Sequence, residues 1–134
     1  MRHRFLALML GATAATMALA APAADIPAKT PARTPCFRSQ DWSGWKATPD
    51  ARSLYIGVGG NRIYRLDMAS ACPALNQIGV HLVTRTRGSG WICHALDVDL
   101  KVSDGRAFMS ACIVNGLTVL SADEAAALPK ALRP

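Results

Sequence analysis

The sequence predicts a mainly β, α+β domain: a curled antiparallel sheet or small barrel of about six strands, with one short C-terminal helix and two disulfides. Three observations lead there. From Ser53 onward, short runs rich in Val, Ile, Leu, Thr and Tyr alternate in polarity between Gly-containing turns. Four cysteines, Cys36, Cys72, Cys93 and Cys112, are widely spaced with no C-x-x-C pair, which suits cross-links between distant elements better than a zinc ribbon or a redox motif. Near the end, Ser121-x-x-Glu124 precedes an Ala/Leu run that stops at Pro129, the pattern of a capping box opening one short helix.

The N-terminus reads as an export leader over residues 1–20. MRHR is a basic segment, FLALMLGATAATMALA an apolar core too short to span a bilayer as a helix, and Ala18-Leu19-Ala20 offers small residues for cleavage. No cysteine lies beside that point, so a lipid anchor is not expected. Residues 21–35, APAADIPAKTPARTP, carry four prolines and almost nothing able to build a core, so they read as an extended linker. Residues 36–134 remain as a single domain, small enough for covalent bridges to matter. Losing Arg2 and Arg4 with the leader lowers the formal charge from +6 to +4, without any Lys/Arg run. That balance points to no nucleic-acid partner. The expected compartment is the periplasm or the exterior, with no transmembrane segment in the mature chain.

The hairpins follow in order. SLYIGV and RIYRLDM flank Gly59-Gly60-Asn61, a loop able to supply positive φ, and pairing across it sets Leu54 opposite Leu66 and Ile56 opposite Tyr64. VHLVTRT and WICHALDVDLKV flank Gly88-Ser89-Gly90; a three-residue loop there sets Leu82 opposite Leu96 and Val80 opposite Val98, with Arg87 beside Trp91 as a cation–π pair. A third hairpin is expected at Asp104-Gly105, a type I′ signal, with Leu100 facing Met109, Val98 facing Ala111, Leu96 facing Ile113 and Ile92 facing Leu117.

That register separates Cys93 from Cys112 by about four residues along the ladder, roughly 13 Å and too far for a bridge. Two pairings remain: Cys36 with Cys93 and Cys72 with Cys112, or Cys36 with Cys112 and Cys72 with Cys93. A simple meander puts Cys72 at the end of the sheet away from Cys93, which favours the first.

WICHALDVDL concentrates a Cys, a His and two Asp within a few positions. Read as a strand, it splits: His94 shares the apolar face with Ile92, Leu96 and Val98, and Cys93, Asp97 and Asp99 face the other way. On the apolar face, Thr84, His94 and Asn115 fall in one polar row, either satisfying one another or lining a ligand pocket. On the opposite face His81, Asp97 and Cys112 fall side by side. A disulfide would leave Cys112 no thiolate, and His81, Asp97 and Asp99 lack a further ligand for a metal site, so neither a catalytic residue nor a metal is expected there. Trp42 and Trp45 in DWSGW either pack over an open end of the sheet or meet a partner. GVGGNR lies between strands and opens no helix, so it is a turn and no phosphate loop. Gly88-Ser89-Gly90 lacks the context of a nucleophile elbow.

Several segments, in their order and spacing, resemble a family of small exported proteobacterial proteins classed as a domain of unknown function. These are Cys36-Phe37, SLYIGV, the run from Tyr64 to Leu75 with YRLDM and CPAL, WIC with Asp97, ACIV around Cys112, and LSADEAAAL. The resemblance spans nearly all residues after the linker. It implies export and a shared disulfide-braced fold, and brings no catalytic or binding residues with it.

The expected role is therefore a non-catalytic binding module, its target an envelope component, a small ligand or another exported protein, with no cofactor. The alternatives are a small periplasmic enzyme using His81 with Asp97, or His94 with Thr84 and Asn115, and a purely structural envelope protein.

Overall fold

The computed structural model describes residues 34–134. The expected leader, 1–20, and all but the last two residues of the expected linker, 21–35, lie outside the described residues. Thr34 and Pro35 are tied onto the sheet: the Thr34 hydroxyl donates to the Leu117 carbonyl (3.3 Å) and the Tyr64 hydroxyl donates to the Pro35 carbonyl (2.9 Å).

Among the described residues nine short strands form three antiparallel sheets: β1 (Phe37–Arg38), β2 (Trp42–Ala47), β3 (Ser53–Val58), β4 (Arg62–Met68), β5 (His81–Thr86), β6 (Trp91–Ile92), β7 (Val98–Ser103), β8 (Met109–Cys112) and β9 (Val114–Val119). The single α-helix among the described residues, α1 (Ala122–Ala127), opens on the expected capping box, with Ser121 and Glu124 each accepting the other's backbone N–H. One sheet has the order β2-β3-β4-β9, another β5-β7-β8, and β1 pairs with β6 as a two-residue ribbon.

Strands β8 and β9 are one extended run broken only at Ile113. The chain turns a corner there and passes from one sheet to the other. Counted as one bent strand, β8 and β9 bring the two larger sheets to six lanes, the number the sequence predicts. The edges left over are β2 and β5. No backbone hydrogen bond joins them among the described residues, so the barrel does not close.

Strand alternation builds the core. Leu54, Ile56 and Val58 of β3, Tyr64, Leu66 and Met68 of β4, and Val98, Leu100 and Val102 of β7 are buried with Phe37 and Ile92. Burial of each large side chain is worth about 1.5–3 kcal/mol. The β3–β4 hairpin has the expected register, Leu54 with Leu66 and Ile56 with Tyr64, and its loop uses positive φ at Gly59 and Gly60.

The next two hairpins differ from expectation, each because of an aspartate. WICHALDVDL is not one strand: β6 ends at Ile92, a single 3-10 turn covers Ala95–Asp97, and β7 starts at Val98. The Asp97 carboxylate accepts the N–H groups of Cys93 and His94, both at 2.9 Å, and this bends the chain out of the ladder. Leu82 therefore pairs with Val102, Thr84 with Leu100 and Thr86 with Val98, in place of Leu82 with Leu96 and Val80 with Val98. Arg87 does not stack on Trp91; Arg38, its neighbour across the ribbon, lies 4.9 Å from that ring.

Between β7 and β8, Asp104 accepts from the N–H groups of Arg106 (2.9 Å) and Phe108 (3.3 Å), which stabilises a five-residue loop where a two-residue turn was expected. Leu100 pairs with Cys112 and Ser103 with Met109. Compared with the expected pairing of Leu100 with Met109, the slip is odd-numbered, and an odd slip exchanges the two faces. Cys112 and Val114 thus turn into the core, and Ile113 points out. Leu117 faces Leu66 on β4 rather than Ile92.

Both disulfides of the favoured pairing are present, Cys36–Cys93 and Cys72–Cys112, with Cα separations of 4.3 and 5.8 Å. The ribbon, which sets Phe37 opposite Ile92, brings the first pair together. Two closed bridges indicate an oxidising compartment. Among the described residues no helix is long and apolar enough to cross a membrane.

Candidate functional site

The open seam between β2 and β5 holds the candidate site. Ser39, Trp42, Gly44 and Trp45 line one wall and His81, Leu82 and Thr84 the other, around a cleft of about 320 Å³. Members of three groups that looked unrelated in sequence, the tryptophan pair, His81 and Thr84, meet here.

On β2, Trp42 opposes Val58, Trp45 opposes Ile56 and Ala47 opposes Leu54, all three partners buried, so these side chains face inward. A spacing of three would put the two tryptophans on opposite faces of a regular strand. Gly44 is an extra residue in a β-bulge, with φ of +62°, and it restores both indoles to the same side. On β5, Leu82 and Thr84 share the inward face with their partners Val102 and Leu100. Trp42, Trp45, Leu82 and Thr84 nonetheless remain only half-buried, because no described strand covers them from the seam.

Their backbones face the same opening. In an antiparallel ladder, residues alternate between directing both N–H and C=O toward the partner and directing both away. The Arg87 N–H donates to the Asp97 carbonyl (3.0 Å), which assigns the odd residues of β5 to β7 and turns Leu82, Thr84 and Thr86 toward the seam. On β2, Gly59 N–H donates to the Asp41 carbonyl (3.0 Å) and Thr48 N–H to the Ser53 carbonyl (2.9 Å). These bonds commit Ser43 and Lys46 to β3 and leave Trp42 and Trp45 directed outward on either side of the bulge. Trp45, Leu82 and Thr84 thus direct toward the cleft backbone donors and acceptors that no described strand uses, whereas the Trp42 N–H donates to the Ser39 carbonyl of the preceding 3-10 turn.

The other expected site residues lie elsewhere. His94 is exposed; it starts the 3-10 turn in a reciprocal capping box with Asp97, its Nδ1 3.6 Å from the carboxylate. The N–H groups of Cys93 and His94 hold the Asp97 carboxyl below the usual carboxylate range. Asn115 is the bulged, exposed residue of β9, so Thr84, His94 and Asn115 form no row. His81 and Asp97 sit at opposite ends of the β5–β7 ladder, roughly 20 Å apart at about 3.4 Å per residue. Cys112 faces the core in a disulfide, away from both. Asp99 lies outward on β7, opposite Arg85 and 4.0 Å from Lys101. Among the described residues no group of three or more His, Cys, Asp or Glu side chains could hold a metal ion.

Two further depressions are less suited to recognition. The one beneath α1, about 360 Å³, is lined by Arg65 and Glu124, but Arg65 pairs with Asp67 (3.0 Å) and Glu124 caps its own helix. The other, near the Ile113 corner, measures only about 100 Å³. Sequence reasoning missed Ser39, Gly44 and Leu82 as lining residues; the missing step was to read WSGW as a strand with a glycine bulge. No family model, no curated protein and no solved structure matches this chain.

Proposed function

We propose that this protein is a non-catalytic binding module of the periplasm or the cell exterior, and that the β2–β5 cleft is its binding site. One observation carries the reading: in a single open cleft, two half-buried tryptophans adjoin backbone donors and acceptors of β5 that no described strand uses. A few polar groups in an apolar cleft on a rigid scaffold suit orientation of a ligand. The candidate targets are an envelope component, a small ligand or another exported protein. The leader pattern, the two disulfides and the resemblance to exported proteins of unknown function support the compartment. The enzymatic alternative draws no support from the geometry: among the described residues no hydrogen bond joins His81 to a carboxylate or hydroxyl, and Asp97 lies at the far end of the ladder.

Tryptophan fluorescence tests the reading. The chain has three tryptophans, so a Trp91→Phe variant reports only on Trp42 and Trp45. Titration with a random-sequence peptide mixture, phosphatidylglycerol micelles and muropeptides should give a saturable emission shift with one of the three, and Trp45→Leu should abolish it. A folded protein whose emission answers none of them refutes the proposal.

A further inference from the structure

Resting on that reading, we infer that the occupant of the cleft is an extended segment of another polypeptide, which adds as a strand along β5. Leu82 and Thr84 present N–H and C=O in the alternating order of a sheet edge, and only an extended backbone offers the complementary series at the same spacing. The two edges are not equivalent templates. β5 runs in unbroken register with β7 through all six residues. β2 is bulged between Ser43 and Trp45, and Pro134 lies so close to Gly44 that a Cβ there would stand 3.2 Å from its carbonyl carbon. Bulging and covering are ways in which edges are protected from pairing. β5 is the docking edge, and β2 supplies the wall.

The walls also define the guest sequence. Residues of the guest that point inward meet Trp42, Trp45 and Leu82, so every second one is apolar. Those that point outward share a surface with Lys46 on β2 and Arg85 on β5, both exposed and without an ion pair among the described residues. Acidic residues fit there. The favoured segment alternates apolar and acidic side chains over the length of β5 and lacks proline at its paired positions.

The experiment is selection of a phage-displayed random dodecapeptide library on the purified full chain, followed by synthesis of the tightest peptide with single backbone N-methyl groups at successive positions. The enriched sequences should show the alternation. N-methylation should weaken binding roughly tenfold at every second residue and leave the residues between unaffected, because only alternate amides face β5. Thr84→Pro, which removes an outward N–H without touching the ladder to β7, should weaken binding by a similar factor. If that variant fails to fold, the N-methyl series on the native protein still decides. Tolerance of N-methylation at every position overturns strand pairing while leaving the cleft a binding site. Failure to enrich any peptide, where micelles or muropeptides shift the tryptophan emission, also overturns this inference alone. A chain that light scattering shows to be dimeric, with β5 amides protected from exchange only in the dimer, would make a second copy the occupant and overturn it as well. If nothing moves the tryptophans, both readings fall.

Discussion

Removing the Cys72–Cys112 bridge should destabilise the domain more than removing Cys36–Cys93, although the second closes the longer loop. The bridges span 40 and 57 residues. The chain-entropy relation gives about 3.9 kcal/mol for the shorter loop and about 4.2 kcal/mol for the longer one at ~25 °C, so loop length barely separates them. Burial does. Cys72 and Cys112 are 6% and 5% exposed inside the main core, whereas Cys36 is exposed and Cys93 half-buried. Replacing the buried pair by alanine deletes two packed sulfurs, about 1 kcal/mol each by analogy with a buried methyl group. The expected loss for Cys72→Ala/Cys112→Ala is about 5–6 kcal/mol, against about 4 kcal/mol for Cys36→Ala/Cys93→Ala, and either is a large share of the 5–15 kcal/mol typical of a domain. Guanidinium unfolding checks this, with ΔG extrapolated separately for each variant because an uncrosslinked denatured chain exposes more surface and raises m. Mild reductant should also open the exposed bridge first, as followed by alkylation and mass mapping. The reasoning is refuted if the Cys36/Cys93 variant is the less stable of the two, or if the buried bridge is reduced first.

Three further outcomes are expected. Asp97→Asn should cost about 1 kcal/mol at neutral pH, as loss of a helix cap does. Because the folded carboxyl titrates below its unfolded value, the stability it contributes is present above the unfolded pKa and lost as pH falls through the folded one, so urea midpoints of variant and parent should converge in acid. Gly57→Ala would place a Cβ 2.5 Å from the Ser43 carbonyl oxygen; it should cost about 1–3 kcal/mol by forcing β2 off β3, seen in thermal unfolding and in weaker probe binding at the cleft. Tyr64→Phe should lose about 1 kcal/mol with the bond to the Pro35 carbonyl, and limited proteolysis should cut sooner near residue 35. Burial pushes the Tyr64 phenol up, so the parent loses that contribution as pH rises through the raised value and the variant does not.

The sequence made legible what was local. Alternation and a glycine loop sufficed for β3 and β4, and Ser121 with Glu124 marked α1, because those signals act within a few residues. The second and third hairpins were misread where one side chain competes with the ladder for backbone donors. Asp97 takes the N–H groups of Cys93 and His94, and Asp104 those of Arg106 and Phe108, and each capture moves the register. His94-x-x-Asp97 has the spacing of a capping box and was the available clue. The pairing of the cysteines came out right although one step toward it used the wrong register: the β1–β6 ribbon, which brings Cys36 and Cys93 together, had no signal in so short a stretch as Cys36-Phe37-Arg38. The cleft was legible in its parts and not as a whole. Trp42, Trp45, His81 and Thr84 come from two strands that never pair, and only the failure of the sheet to close brings them together.

The bent strand through Ile113 acts as the spring of a clothes peg. It is the one strand the two larger sheets share, and the jaws of the peg are β2 and β5 on the far side. The Cys72–Cys112 bridge pins the residue immediately before that corner. The gap between the jaws therefore rests on a corner held by a buried cystine on the far side of the molecule.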